Sequence, residues 1–199
     1  MDNESIVNLN CYVPCTLAEG PGRRFCLWVQ GCLRNCPGCC NAHMQPLELR
    51  CLLTVHDLCR MIELSAVENS IEGITLLGGE PMLQAAALAQ VARYAQERGL
   101  SVITFTGATL SECTEDIYPG SSSLLEYTDV LIDGEFRRDC IDETRNWIGS
   151  ANQKFYYLSN RYDPSIETDK RYHGLVELRV LEKTTTVNGC PKSLGDLKL

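Results

Sequence analysis

No stretch of this 199-residue chain approaches the roughly 20 consecutive apolar residues that span a bilayer. The opening residues, MDNESIVNLN, are acidic and polar where a secretory signal would need a basic start and an apolar run. A soluble, cytoplasmic protein with no membrane partner is therefore expected. Positive charge is also scarce: 18 Lys and Arg stand against 26 Asp and Glu, a formal net charge of -8. This argues against a general binder of phosphate backbones, and no nucleic-acid partner is expected. Arg23, Arg24, Arg137 and Arg138 are clustered enough to supply a local basic patch. Internal repeats, long linkers and low-complexity tracts are missing too, so residues 1–199 read as a single domain. At this length, with 44% apolar and 22% charged residues, the chain can bury a full core without disulfide staples.

What the chain has in plenty is cysteine, twelve in all. In a reducing compartment these are thiols or metal ligands rather than disulfides. Four of them fall in the short stretch CLRNCPGCCN, residues 32 to 41. Cys32, Cys36 and Cys39 place three thiolates on one loop, which Pro37-Gly38 lets fold tightly. Three clustered cysteines suit iron and sulfide better than a closed structural zinc site, which takes four ligands. Four irons held by three thiolates leave one iron open for another ligand. Spacing alone also fits a zinc-binding module or chance. Cys40 adjoins Cys39, and adjacent side chains rarely converge on one metal. Cys11 and Cys15 form a second close pair with no further ligands nearby. Cys26, Cys51, Cys59, Cys113, Cys140 and Cys190 read as buried thiols.

The rest of the chain alternates strands and helices. RFCLWVQ (24–30) favours a strand and runs directly into the cysteine cluster. Thr54 reads as an N-cap with Asp57 three positions on, and Val55, Leu58, Cys59 and Ile62 share one helical face. GITLL (73–77) is an apolar strand ending in GGEP. Leu83 to Arg98 is an alanine-rich helix stopped by Gly99. SVITF (101–105) and DVLID (129–133) are further strands, separated by a helix near Thr109 to Asp116 and a YPGSSS loop. HGLVELRVLEK (173–183) is a last strand. Successive βα units imply a parallel sheet with functional groups at the C-terminal ends of its strands. Trp28 fits a core strand, and His43 and His56 read as bystanders.

Cys-x3-Cys-x2-Cys resembles the signature of the radical S-adenosylmethionine (SAM) enzymes. The surrounding GPGRRFCLWVQGCLRNCPGCCN is similar to the activating enzymes of anaerobic ribonucleotide reductase and pyruvate formate-lyase. These have a Gly-Pro-Gly-x-Arg turn, an apolar strand, Gln-Gly-Cys and a final Cys-x-Asn. The Cys-Pro-Gly-Cys form is typical of the ribonucleotide reductase branch. LLGGEPMLQ, TFTGATL, DVLIDGEF and GSANQKF extend the resemblance over about residues 18 to 160, leaving a C-terminal extension.

The resemblance implies a single α/β domain, an open partial (βα) barrel of radical SAM type, with the cluster loop after the first strand. It implies a 4Fe-4S cluster on Cys32, Cys36 and Cys39, with Cys40 standing where relatives carry His, Tyr or Phe. The SAM site would comprise Gly78, Gly79, Glu80 and Pro81 at the methionine end, Thr106 and Gly107, Asp133, and Ser150, Asn152 and Gln153 near the nucleoside. Gly78 and Gly79, lacking Cβ, would let backbone carbonyls approach the ligand's ammonium, and Glu80 would add a negative acceptor. Each motif also has a structural account: Pro81 as helix N1, Thr109 as an N-cap, GSAN as a polar turn. Glu135 replaces the proline usual in the Asp-Gly-Pro-Phe segment and is a weak site candidate. No catalytic side chain is singled out. The implied activity is reductive cleavage of SAM to a 5′-deoxyadenosyl radical that abstracts hydrogen from a polypeptide, with flavodoxin or ferredoxin as electron donor. The leading substrate is a glycine of a glycyl radical enzyme. The alternative is maturation or splicing of a ribosomally made precursor peptide with an accessory partner protein.

Overall fold

In the computed structural model, which describes residues 5–180 and 185–189, seven strands form one open sheet in the order β3-β1-β2-β4-β5-β6-β7. The strands are β1 (Ile6–Thr16), β2 (Arg24–Val29), β3 (Cys51–Thr54), β4 (Gly73–Gly78), β5 (Ser101–Phe105), β6 (Val130–Asp133) and β7 (Lys154–Tyr157). Four central strands, β2, β4, β5 and β6, run parallel. The flanking strands β1, β3 and β7 are antiparallel to their neighbours. The sheet does not close, so the expected open α/β architecture stands. The cluster loop, however, follows β2 and not the first strand of the chain. An 11-residue strand, β1, precedes it and sits between β2 and β3.

Alternation along the strands divides the core in two. Phe25, Leu27 and Val29 of β2 pack with α1 (Val55–Asn69) and α2 (Ala85–Glu97) on one face. Cys26 and Trp28 face the opposite side, with Leu77 and Met44. On α1, Val55, Leu58, Cys59 and Ile62 are all buried, as the sequence spacing predicts. Burying side chains of this size contributes roughly 1.5–3 kcal/mol each. The Thr54 hydroxyl caps the helix by accepting from the Asp57 amide at 3.0 Å. Gly99 ends α2 with φ +77°, and Leu100 N–H reaches back to Ala95 O in a Schellman closure. The predicted start of α2 differs: Pro81–Gln84 forms a 3-10 turn first.

Other expectations need correcting. The end of the YPGSSS segment is helical, since α4 spans Ser121–Glu126, after α3 (Leu110–Thr114). The Ser121 hydroxyl donates to Cys113 O at 2.9 Å and ties the two together. The four arginines form no common patch. Arg24 is fully buried, its guanidinium donating to Thr75, Ser101, Tyr162 and the carbonyls of Pro21, Ile74 and Ser101. It begins β2, whereas Arg137 and Arg138 follow β6 and so lie toward the other end of the parallel strands. Of the cysteines expected inside, Cys26, Cys59 and Cys113 are buried, but Cys51 is exposed on the edge strand and Cys140 half-buried. Cys190 lies outside the described residues.

The last predicted strand appears as β8 (Val176–Val180), with residues 181–183 outside the described set, and pairs with β9 (Thr185–Gly189) as a hairpin. The hairpin docks on the segment before β2. Glu177 accepts from Leu17 N–H at 2.7 Å, Arg179 donates to Cys15 O at 2.8 Å, and Gly189 N–H donates to Glu19 Oε1 at 2.7 Å. Burial beneath this hairpin pushes the Glu19 pKa up, more than its bonds to Gly189 and Asn188 lower it. The folded chain then retains a proton that the unfolded chain releases earlier. Stability is expected to fall as pH rises through the raised Glu19 value. Denaturation curves across that window should show the slope in the wild type and lose it in Glu19→Gln; an unchanged slope would assign it to another group.

Candidate functional site

The cluster loop is pinched shut at its base. Gly31 N–H donates to Met44 O at 2.8 Å and Cys32 N–H to Gln45 O at 3.0 Å, so the chain leaves and re-enters the sheet end at one point. Inside, Cys39 N–H donates to Cys36 O at 3.1 Å, and Gly38 takes φ +82°. The loop tip rests on the segment after β6, with Gly38 facing Phe136 and Arg138.

Cys32, Cys36 and Cys39 are all half-buried free thiols. Burial pushes the Cys32 and Cys36 pKa values up, partly offset by amide hydrogen bonds from Arg34 and Phe136 respectively. Cys39 behaves oppositely: the Cys40 thiol donates to it and, with Asn41 N–H and Gln45, brings it down to about 6. The same bond pushes the Cys40 thiol up, which suits a supporting donor better than a ligand. Among the described residues no three His, Cys, Asp or Glu side chains converge on a point that would hold a single metal ion. That arrangement is what a mononuclear zinc site requires. A 4Fe-4S cluster instead takes each thiolate on a different iron corner, and the donor chemistry of three half-exposed thiols on one closed loop fits it.

Glu80 joins the next two motifs. Only 1% exposed, it accepts from the Thr106 hydroxyl at 2.6 Å, Gly107 N–H at 2.8 Å and Met82 N–H at 3.0 Å. Burial still raises its pKa, against those three bonds. Its carboxylate therefore welds the GGEP turn to the TFTG turn rather than standing free as an acceptor. Gly79 also has a packing role besides the one the resemblance implies. A Cβ there would lie 2.2 Å from Gly31 O and 2.9 Å from Met44 O, so this glycine admits the base of the cluster loop. Pro81 is buried at the start of the 3-10 turn.

Beyond Gly107 opens a cleft of about 560 Å³, lined by Arg34, Gly107, Glu112, Asp133, Glu135, Asn152 and Lys154 among others. That volume suits one nucleoside-sized ligand. Asp133 lines the cleft, accepting from Leu110 N–H at 2.7 Å. Burial raises the Asp133 pKa, against the Leu110 amide, the nearby Lys154 charge and the Tyr156 hydroxyl. The GSANQ side chains are largely used within the protein. Ser150 accepts from Arg137 N–H at 3.0 Å, Asn152 donates to Glu135 O at 2.8 Å, and Gln153 bridges Gly149 N–H and Gly134 O. They fix the wall of the cleft, which Asn152 lines while its Oδ1 accepts from the Cys140 thiol at 3.3 Å.

Sequence patterns gave no hint of Arg34, between Cys32 and Cys36. Its guanidinium donates to Glu135 at 2.9 Å, to both oxygens of Glu112 at 3.0 Å and to the Tyr118 hydroxyl at 2.9 Å. Burial lowers its pKa, but Glu135 and Glu112 outweigh that and raise it. Glu112 is independently fixed by a capping box with Thr109. Neither His43 nor His56 takes part; both are exposed.

An open α/β sheet with a three-thiol loop at the C-terminal end of its first parallel strand, beside a nucleoside-sized cleft, defines an iron–sulfur protein built for chemistry on a small ligand. The family model described as a 4Fe-4S single cluster domain matches residues 18–156. The chain belongs to this family, in its radical SAM activating-enzyme branch. It is 34% identical to the anaerobic ribonucleoside-triphosphate reductase-activating protein of Vibrio cholerae, over 74% of this chain and 96% of that one. The proteins of the same name from Escherichia coli K12 and Enterobacteria phage T4 are 30% and 28% identical, covered over 99% and 94% of their lengths. QueE from Escherichia coli superposes with a TM-score of 0.47 at 15% identity, over 67% of this chain and 72% of that one. The branch works with a 4Fe-4S cluster and SAM. Among the described residues, no helix is long and apolar enough to cross a membrane.

Proposed function

We propose that this chain activates a glycyl radical enzyme of the anaerobic ribonucleotide reductase type by removing a hydrogen atom from one of its glycines. The observation that carries the reading is the continuity of the site: the thiol loop, the GGEP turn and the TFTG turn are joined through Gly79 and Glu80, and Arg34 of the loop and Gly107 of the TFTG turn line the adjoining cleft. Cys32, Cys36 and Cys39 hold the cluster in this reading. Gly78 to Pro81, Thr106 and Gly107 shape the methionine end of the SAM site, and Asp133 and Asn152 its nucleoside end. Together the bound cofactors supply one-electron cleavage that delivers a carbon radical. The chain's own work is positional: Glu80 keeps two turns in register, and the GSANQ network holds the cleft wall. A flavodoxin or ferredoxin type protein supplies the electron.

The test is anaerobic incubation of the reconstituted protein with dithionite, SAM and the catalytic subunit of an anaerobic ribonucleotide reductase. A persistent glycyl signal in electron paramagnetic resonance is expected, with 5′-deoxyadenosine formed alongside. Deoxyadenosine without that signal, together with a mass-shifted short peptide from the native host, would favour precursor-peptide maturation with an accessory partner. No deoxyadenosine from protein with an intact cluster would overturn the enzymatic reading.

A further inference from the structure

Among the described residues that line the cleft, Arg34 is the cation that lies against the Glu80–Gly107 junction. A Cβ on Gly107 would be 3.2 Å from Arg34 Cγ and 3.3 Å from Glu80 Oε2, so the arginine stem and the glutamate flank the same glycine. The other cations of the cleft, Arg137 and Lys154, lie away from that junction on the segment after β6 and on β7. Arg137 makes two bonds to Asp139, at 3.1 and 2.6 Å, and Lys154 is exposed on β7, in register with Asp133 of β6.

The two acids on Arg34 are not equivalent. Glu112 meets it with both oxygens and is locked in the α3 capping box. Glu135 offers a single bond from a side chain that is 48% exposed. Moreover, Arg34 Nε is buried and has no acceptor among the described residues. The guanidinium is thus held firmly on one side, weakly on the other, and is not saturated. An amino acid carries its ammonium and carboxylate on one carbon. A group that receives the carboxylate must therefore stand within a few ångströms of the turn that would receive the ammonium in the proposed placement, and the Arg34 stem lies beside Glu80 and Gly107.

We infer that Arg34 receives the carboxylate of the cofactor's amino-acid end, with Glu135 as the side chain it releases on binding. The inference rests on the proposed placement of SAM in this cleft. It assigns Glu135, which occupies the position of a usual proline, the part of a placeholder: an internal carboxylate that keeps the guanidinium aimed until the ligand's own carboxylate replaces it. Exchange of one carboxylate for another conserves charge in the cleft, so little desolvation cost accompanies the swap.

The experiment is a binding cycle on anaerobically reconstituted protein, with iron and sulfide content measured first in every variant. Dissociation constants are determined for SAM and for decarboxylated SAM, in wild type, Arg34→Gln, Arg34→Lys and Glu135→Gln. Removing the ligand's carboxylate is expected to cost the wild type about tenfold more affinity than it costs Arg34→Gln, the worth of one charge-assisted hydrogen bond. Arg34→Lys keeps the charge and should retain part of that difference, and it carries the comparison if Arg34→Gln fails to hold a cluster. Glu135→Gln removes the competitor and should tighten SAM, by about threefold for an exposed pair, while leaving decarboxylated SAM unchanged. A purely structural role for the pair predicts weaker binding in that variant. Equal losses in wild type and Arg34→Gln, or weakened SAM binding in Glu135→Gln, would overturn the inference while leaving the cofactor site in place. Failure of cluster-loaded wild type to bind SAM at all would instead overturn the placement of SAM, and this inference with it.

Discussion

Alanine at Cys32, Cys36 or Cys39 is expected to abolish the 4Fe-4S cluster, whereas Cys40→Ala retains it. Each of the three thiols is half-buried on a loop closed by backbone bonds at Gly31 and Cys32, so each is held at its own place on that loop. Cys40 is adjacent in sequence, and adjacent side chains rarely converge on one metal; its nearness to Cys39 lowers the Cys39 pKa and raises its own. Its removal takes away the largest of the influences that make Cys39 acidic. Cys40→Ala should therefore load fully but assemble more slowly near neutral pH, where less Cys39 is thiolate. Iron and sulfide per chain, with the visible absorbance of the reconstituted protein, give the answer. Loss of the cluster in Cys40→Ala, with retention in one of the other three variants, would show that the ligand set is wrongly drawn.

The second large effect is expected at Gly79. Considered as part of the ligand site alone, Gly79→Val should weaken SAM and spare the cluster. The structure predicts loss of both, because the added Cβ meets the Gly31 carbonyl at 2.2 Å, at the root of the cluster loop. Backbone cannot yield there without breaking the bond from Gly31 N–H to Met44 O. Gly107→Ala is the contrasting variant: its Cβ meets only the side chains of Arg34 and Glu80, at 3.2 Å and beyond. It should keep its iron and lose SAM affinity. Iron content and SAM titration on both variants separate the two glycines; a Gly79→Val protein with full cluster would return this turn to a role in ligand binding alone.

The difference between those expectations shows what the sequence could and could not disclose. The helix over Val55–Asn69 was legible because its cap and its apolar spacing are local. The parallel strands were legible because they are short apolar runs ending in turn residues. The strand over Ile6–Thr16 was not, since register shifts after Leu9 and after Val13 break the alternation that marks a strand. The helix over Ser121–Glu126 begins in a glycine- and serine-rich stretch that reads as a turn; its ordering depends on a bond from Ser121 to Cys113. At the site, motif spacing named the thiols and the turns. It could not show that Glu80 is consumed by three internal donors, or that Arg34 meets Glu135 across 101 residues of chain. Such pairings are made by topology and carry no local pattern.

The closed base of the cluster loop bears on how this protein lives with air. Small zinc domains fold only when metal arrives, because the ion substitutes for a core they lack. Here the loop is tied by main-chain bonds to a sheet that has a large apolar core of its own. Oxygen that strips the iron should leave a folded shell with three thiols still presented on their loop. Damage of that kind should be reversible in existing molecules by a thiol reductant with re-supplied iron and sulfide, so recovery after a burst of oxidation would not have to wait for new protein synthesis.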